Sequence, residues 1–147
     1  MIAAAGLGVL APLGPWLRSA HAGEAAAEID QPARPSAEAF IERAFELRCQ
    51  ASASGDQAYG AVVVKDGRIV GQSQSRVVLD RDPTAHAEMA AIRDAARRLG
   101  SRDLGGCRLY SSSRPCPMCE AAAYWAGIEG FTHGRAASDG GAPRLCG

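Results

Sequence analysis

From residue 36 onward, apolar side chains recur at two different spacings, and the switches between them mark out the elements. Phe40, Ile41, Ala44, Leu47 and Ala51 keep one helical face, with Glu38, Glu42, Arg43 and Glu46 between them and Ser36 placed to cap the first turn. Residues 59–65 are apolar and β-branched on both faces, as in a strand covered from both sides, and Asp66-Gly67 predicts a two-residue hairpin into a second strand over residues 68–72. A helix follows, with Pro83 in its first turn, Met89, Ile92, Ala96 and Leu99 on one face, and Gly100 as its stop. Residues 107–111 read as a strand, Pro117 opens a helix running to about Gly127, and residues 131–133 form a further short strand. The order α-β-β-α-β-α-β predicts an α/β fold, a three-layer α/β/α sandwich around a mixed sheet whose later strands are parallel. Helix N-termini then gather at the strands' C-terminal ends.

Before residue 36 the chain changes character. Residues 2–17 are almost wholly apolar or small, and Ala20-His21-Ala22 before Gly23 resembles a cleavage site, which predicts a signal peptide over residues 1–22. That segment implies a periplasmic or exported protein; without it the chain is cytoplasmic. The apolar run falls short of the about 20 residues of a membrane span. Residues 23–35 are rich in Ala, Glu and Pro and predict a linker, leaving 36–147 as the domain. Lys plus Arg and Asp plus Glu both number 16, so no broad basic surface is available for a nucleic-acid backbone.

Two stretches carry chemistry. Helical geometry puts Glu88 near the apolar face shared by Ile92, Ala96 and Leu99, with His86 at its margin, and a carboxylate turned inward is costly without a partner or a task. Pro115-Cys116-Pro117-Met118-Cys119 sets two thiols at a helix start, where the dipole favours thiolates. Such a pair is a metal claw or a redox couple; His86 supplies the third ligand that a metal needs. One imidazole and two thiolates around Zn²⁺ leave an open position for water, whose pKa zinc lowers to about 7, and Glu88 is placed to move its proton.

His86-Ala87-Glu88 followed by Pro115-Cys116-Pro117-Met118-Cys119 resembles the signature of the cytidine deaminase superfamily of zinc-dependent deaminases, over residues 36–134. Leu99-Gly100, Leu109-Tyr110 and Ala123-Tyr124-Trp125-Ala126 make the chain similar to the bacterial guanine deaminases within it, with tRNA adenosine deaminases as the second branch. The resemblance implies that His86, Cys116 and Cys119 bind zinc. It also implies that Glu88 carries a proton from the attacking water to a ring nitrogen and then to the leaving amine of a small nucleobase or nucleoside. A homodimer is left open. The alternatives are a tRNA-specific adenosine deaminase and a degenerate, non-catalytic zinc-binding or disulfide module.

Three positions depart from the family. Ser75-Arg76 stands where relatives have Asn-Arg, so the base contact falls to the shorter Ser75; Arg114 replaces the Glu common before the Cys motif; and residues 138–147 offer no closing element, predicting a short C-terminus with an open pocket. The remaining features read as ordinary structure. Tyr124 and Trp125 pack, Cys107 and Cys49 are core hydrophobes, Cys146 is a tail thiol, His21 and His133 have no partner at metal spacing, and Arg93, Arg97 and Arg98 form a solvated face.

Overall fold

Two opposed apolar surfaces of one sheet organise the protein. The computed structural model describes residues 28–135 and 140–141; the predicted signal peptide, Cys146 and most of the C-terminal tail lie outside them. The elements run α1 (Ala37–Ala53), β1 (Gly60–Lys65), β2 (Arg68–Gln74), α2 (Ala87–Leu99), β3 (Cys107–Ser111), α3 (Pro117–Trp125), β4 (Gly130–His133) and β5 (Gly140–Gly141). The sheet order is β2-β1-β3-β4-β5. β1 is antiparallel to β2 and β3, β3 is parallel to β4, and β4 is antiparallel to β5. The expected mixed sheet is present, with the parallel pair where its later strands were predicted.

β1 is buried on both faces because its side chains alternate between two cores. Val62 and Val64 join Phe40, Ile41, Leu47 and Tyr110 under α1. Ala61 and Val63 join Ala91, Ile92, Ala95, Leu109, Ala123 and Phe131 under α2 and α3. Each fully buried Val or Leu contributes about 1.5–3 kcal/mol relative to exposure, so both helical layers are held by hydrophobic burial. Asp66 and Gly67 have φ of 49° and 73°, the left-handed pair that a tight hairpin requires. Ser36 caps α1, its Oγ accepting from the Ala39 N–H at 3.2 Å.

Four expectations change. The segment before Ser36 is partly docked rather than a free linker: Ile29 is buried, and the Gln31 side chain bonds both the N–H and the C=O of Ile69 at 2.8 and 2.9 Å, pairing with the edge of β2. Pro83 precedes α2 instead of starting it, because Asp82 Oδ1 accepts from both the Thr84 N–H and its hydroxyl and folds the chain into a turn. Cys49 is exposed, lying opposite the inward face that Leu47 and Ala51 share. Tyr124 and Trp125 are 47% and 74% exposed, since the buried face of the short α3 is Cys119 and Ala123.

The inward face of α2 is rotated from the large apolar residues toward Ala87, Ala91 and Ala95, and Leu99 is left exposed. The cause is Gly71 in β2: a Cβ there would lie 2.5 Å from the Ala95 nitrogen. Glycine against alanine lets helix and strand approach backbone to backbone. Asp94 adds a polar tie, accepting from the Gln72 N–H at 3.1 Å and pairing with Arg98 at 2.8 Å. His86 and Glu88 thus ride on a helix held closely to the sheet.

Candidate active site

The site forms where the C-terminal ends of β2 and β3 meet the N-terminal start of β1. Ala61 pairs with Ser111, and the Gly60 N–H donates to Ser112 Oγ at 3.1 Å, closing that end of the sheet. The connections leaving β2 and β3 deliver the first turns of α2 and α3 to the same place. His86 is the N-cap of α2 and Cys116 that of α3, and neither uses its side chain as a cap. Both side chains are left for another purpose.

His86 Nδ1 lies 3.6 Å from Cys116 Sγ and 3.7 Å from Cys119 Sγ, and the two sulfurs are 3.6 Å apart. A tetrahedral ion with bonds of about 2.3 Å to sulfur and about 2.0–2.1 Å to nitrogen requires edges of roughly 3.8 and 3.6 Å, so the triangle fits Zn²⁺. It does not fit a disulfide, whose sulfurs are about 2.05 Å apart. The same three residues form a cluster able to hold a metal ion, with Cys119 buried and the other two half-buried.

Electrostatics point the same way. Burial, then Glu88 and Cys116, push the Cys119 thiol far up, against the pull of the helix dipole. Burial likewise pushes the Glu88 carboxyl up, opposed by its own backbone N–H, His86, Cys119 and Ser111. Glu88 is 6% exposed, and its Oε2 sits 3.7 Å from Cys119 Sγ. Burial thus disfavours the anionic forms of Cys119 and Glu88, and a cation held beside them would offset that cost.

A cavity of about 280 Å³ opens over the cluster, lined by Gln57, Tyr59, His86, Glu88, Ser113, Arg114 and Cys116. It is near the small end of ligand sites, about 300–1,000 Å³, a size for a single heterocycle. A larger cavity of about 410 Å³ lies between α1 and residues 30–32 and contains none of the clustered groups. Of the lining residues, Gln57 and Ser113 carry no periodicity that would single them out in the sequence, and Tyr59 reads there as the first residue of a strand that in fact begins at Gly60.

Ser75 is placed elsewhere. It is fully buried, and its hydroxyl donates to Asp56 Oδ1 at 2.7 Å, so it is not offered to the cavity. Asp56 also accepts from the Gln57, Val78 and Leu79 backbone N–H groups at 2.7, 2.9 and 2.9 Å. Burial works to raise the Asp56 carboxyl but is outweighed by the Leu79, Ser75, Gln57 and Val78 hydrogen bonds, which hold it below the usual carboxylate range. Because the folded form is the stronger acid, this stabilisation is present above about pH 4 and is lost as the pH falls through the folded value. Asp56→Asn should therefore cost about 1–3 kcal/mol at pH 7 and flatten the acid limb of stability. Denaturant midpoints at pH 7 and pH 3 check this, and an equal acid-side loss in both proteins would refute it.

Of the other polar residues, Arg97 and Arg98 pair with Asp94 on α2, and the His133 ring stacks on Phe131 with centroids 5.9 Å apart. Among the described residues no helix is long and apolar enough to cross a membrane.

A family model, the cytidine and deoxycytidylate deaminase zinc-binding region, matches residues 34–134. The chain belongs to this deaminase family. Over 90 residues it is 49% identical to the guanine deaminase of Bacillus subtilis strain 168, covering 60% of this chain and 58% of that one. The crystal structure of the Bacillus subtilis guanine deaminase superposes with a TM-score of 0.64 at 45% identity, covering 65% of this chain and 62% of its own. The tRNA-specific adenosine deaminase of Aquifex aeolicus strain VF5 is 41% identical over 92 residues, 63% of this chain and 61% of its own. A relative solved in complex with 2,6-diaminopurine matches with a TM-score of 0.65 and 29% identity, covering 68% of this chain and 57% of that one. This member of the deaminase family thus spans about three-fifths of the length of the curated relatives it matches.

Proposed function

We propose that the chain is a zinc-dependent hydrolytic deaminase that removes the exocyclic amine of a free purine base, with guanine as the preferred substrate. The observation that supports it most is the triangle of His86 Nδ1, Cys116 Sγ and Cys119 Sγ with 3.6–3.7 Å edges, beside the Glu88 carboxylate. Zinc held by these three groups supplies Lewis-acid activation of a water nucleophile at neutral pH. Glu88 would take a proton from the water as its oxygen bonds to the amine-bearing carbon and pass that proton to a ring nitrogen, then move the second proton from the new hydroxyl to the amine. The carbon–nitrogen bond then breaks, ammonia leaves and a carbonyl remains. Burial suits Glu88 to this role, since raising a carboxyl above its ordinary value makes it a better proton acceptor.

The relatives and the cavity together support this substrate class. One relative is a guanine deaminase and another was solved with a diaminopurine. The balanced charge of 16 basic and 16 acidic residues weighs against the tRNA substrate that another relative's name carries. Ammonia release by zinc-loaded protein, measured across guanine, adenine, cytosine and their nucleosides, is expected to be fastest with guanine. No release from any of them by protein containing one zinc per chain would defeat the proposal.

A further inference from the structure

A base presented to Glu88 has an edge of hydrogen-bond donors and acceptors, and a site that left this edge unread would discriminate weakly between bases. The position expected to read it is closed, because the Ser75 hydroxyl is spent on Asp56. Of the residues lining the cavity, Gln57 alone carries a carboxamide, the group that offers an acceptor and a donor side by side. Its alternatives are poorer. Arg114 is donor-only and leans toward Glu120 at 4.0 Å, and Ser113 brings a single short hydroxyl in place of an amide's paired donor and acceptor.

Gln57 is also held in place. Its N–H donates to Asp56 Oδ1 at 2.7 Å, and its C=O accepts from the Tyr59 N–H at 2.7 Å, so the backbone at the cavity rim is pinned from both sides. Gln57 is exposed and lines the cavity. The carboxylate that closes off Ser75 is thus the one that anchors Gln57. Tyr59, beside it and 44% exposed, brings an aromatic face on which a base stacks.

We infer that Gln57 is the specificity-determining residue of this chain, its amide reading the hydrogen-bonding edge of the substrate base that Ser75 no longer reaches. The inference rests on the deaminase reading above. In zinc-loaded protein, Gln57→Ala is expected to lower kcat/KM for the preferred base by about 10–100-fold and to narrow the spread between bases, with zinc content and Tm unchanged. Gln57→Glu, which keeps an acceptor and loses the donor, is expected to shift the ranking toward bases with donors on that edge. Unchanged kcat/KM and ranking in both variants overturn the inference. Should wild-type protein release no ammonia from any base, the deaminase reading fails separately, and equilibrium dialysis with guanine decides the role of Gln57. At least tenfold weaker guanine binding by Gln57→Ala upholds it; equal binding, or none by either protein, overturns it.

Discussion

Exchanging Glu88 for glutamine is expected to lower kcat by about 10²–10⁴-fold while zinc stays bound, the range in which a positioned general acid–base acts. Glutamine matches the shape of the carboxylate, so the packing of Glu88 against the first turn of α2 survives. His86, Cys116 and Cys119 are untouched, and their 3.6–3.7 Å separations do not depend on a charge at position 88. What disappears is the one group in the cavity floor able to accept a proton from water and give it to an amine. Steady-state rates beside metal analysis of the same sample check this. A Glu88→Gln protein with wild-type kcat would remove Glu88 from the reaction.

Loss of the metal is the expected result of Cys116→Ser. Zinc sites bind with apparent energies on the order of 10–16 kcal/mol, and removing one of three protein ligands forfeits a share worth roughly 10³-fold in affinity. A serine hydroxyl does not ionise near neutrality and is the harder donor, so it is a poor replacement for a thiolate. Because Cys116 and His86 sit on different helices, metal binding also ties α2 to α3, and added zinc should raise the Tm of wild-type protein but not of the variant. Isothermal titration with zinc and thermal melts measure both effects. Equal zinc affinity in the two proteins would place the metal elsewhere.

The candidate site residues were legible in the sequence because each sits at a helix start, where spacing and geometry agree. Glu88 is three, four and seven residues before Ala91, Ile92 and Ala95, so helical periodicity alone turns it inward. Pro117 marks the first position of α3 and thereby sets Cys116 just outside the helix and Cys119 on its inner face. β1 and its hairpin were equally clear, since an unbroken apolar run and Asp66-Gly67 leave little choice. Local pattern failed where a distant partner decides the outcome. Ser75 looked available until Asp56, 19 residues earlier, took its hydroxyl. The inward face of α2 shifted to alanines because a glycine on another strand came close, and no spacing within the helix records that. Residues 29 and 31 found partners in the core and on β2, whereas composition alone described them as a tether.

The cavity draws its floor and its mouth from separate stretches of chain. The floor belongs to the tips of α2 and α3, while Gln57 and Tyr59 come from the connection entering β1 and Ser113 and Arg114 from the one leaving β3. On the proposed function, substitutions in those two short connections are expected to change which molecule is admitted while leaving His86, Cys116 and Cys119 where they stand, so choice of guest and coordination chemistry are separable by design.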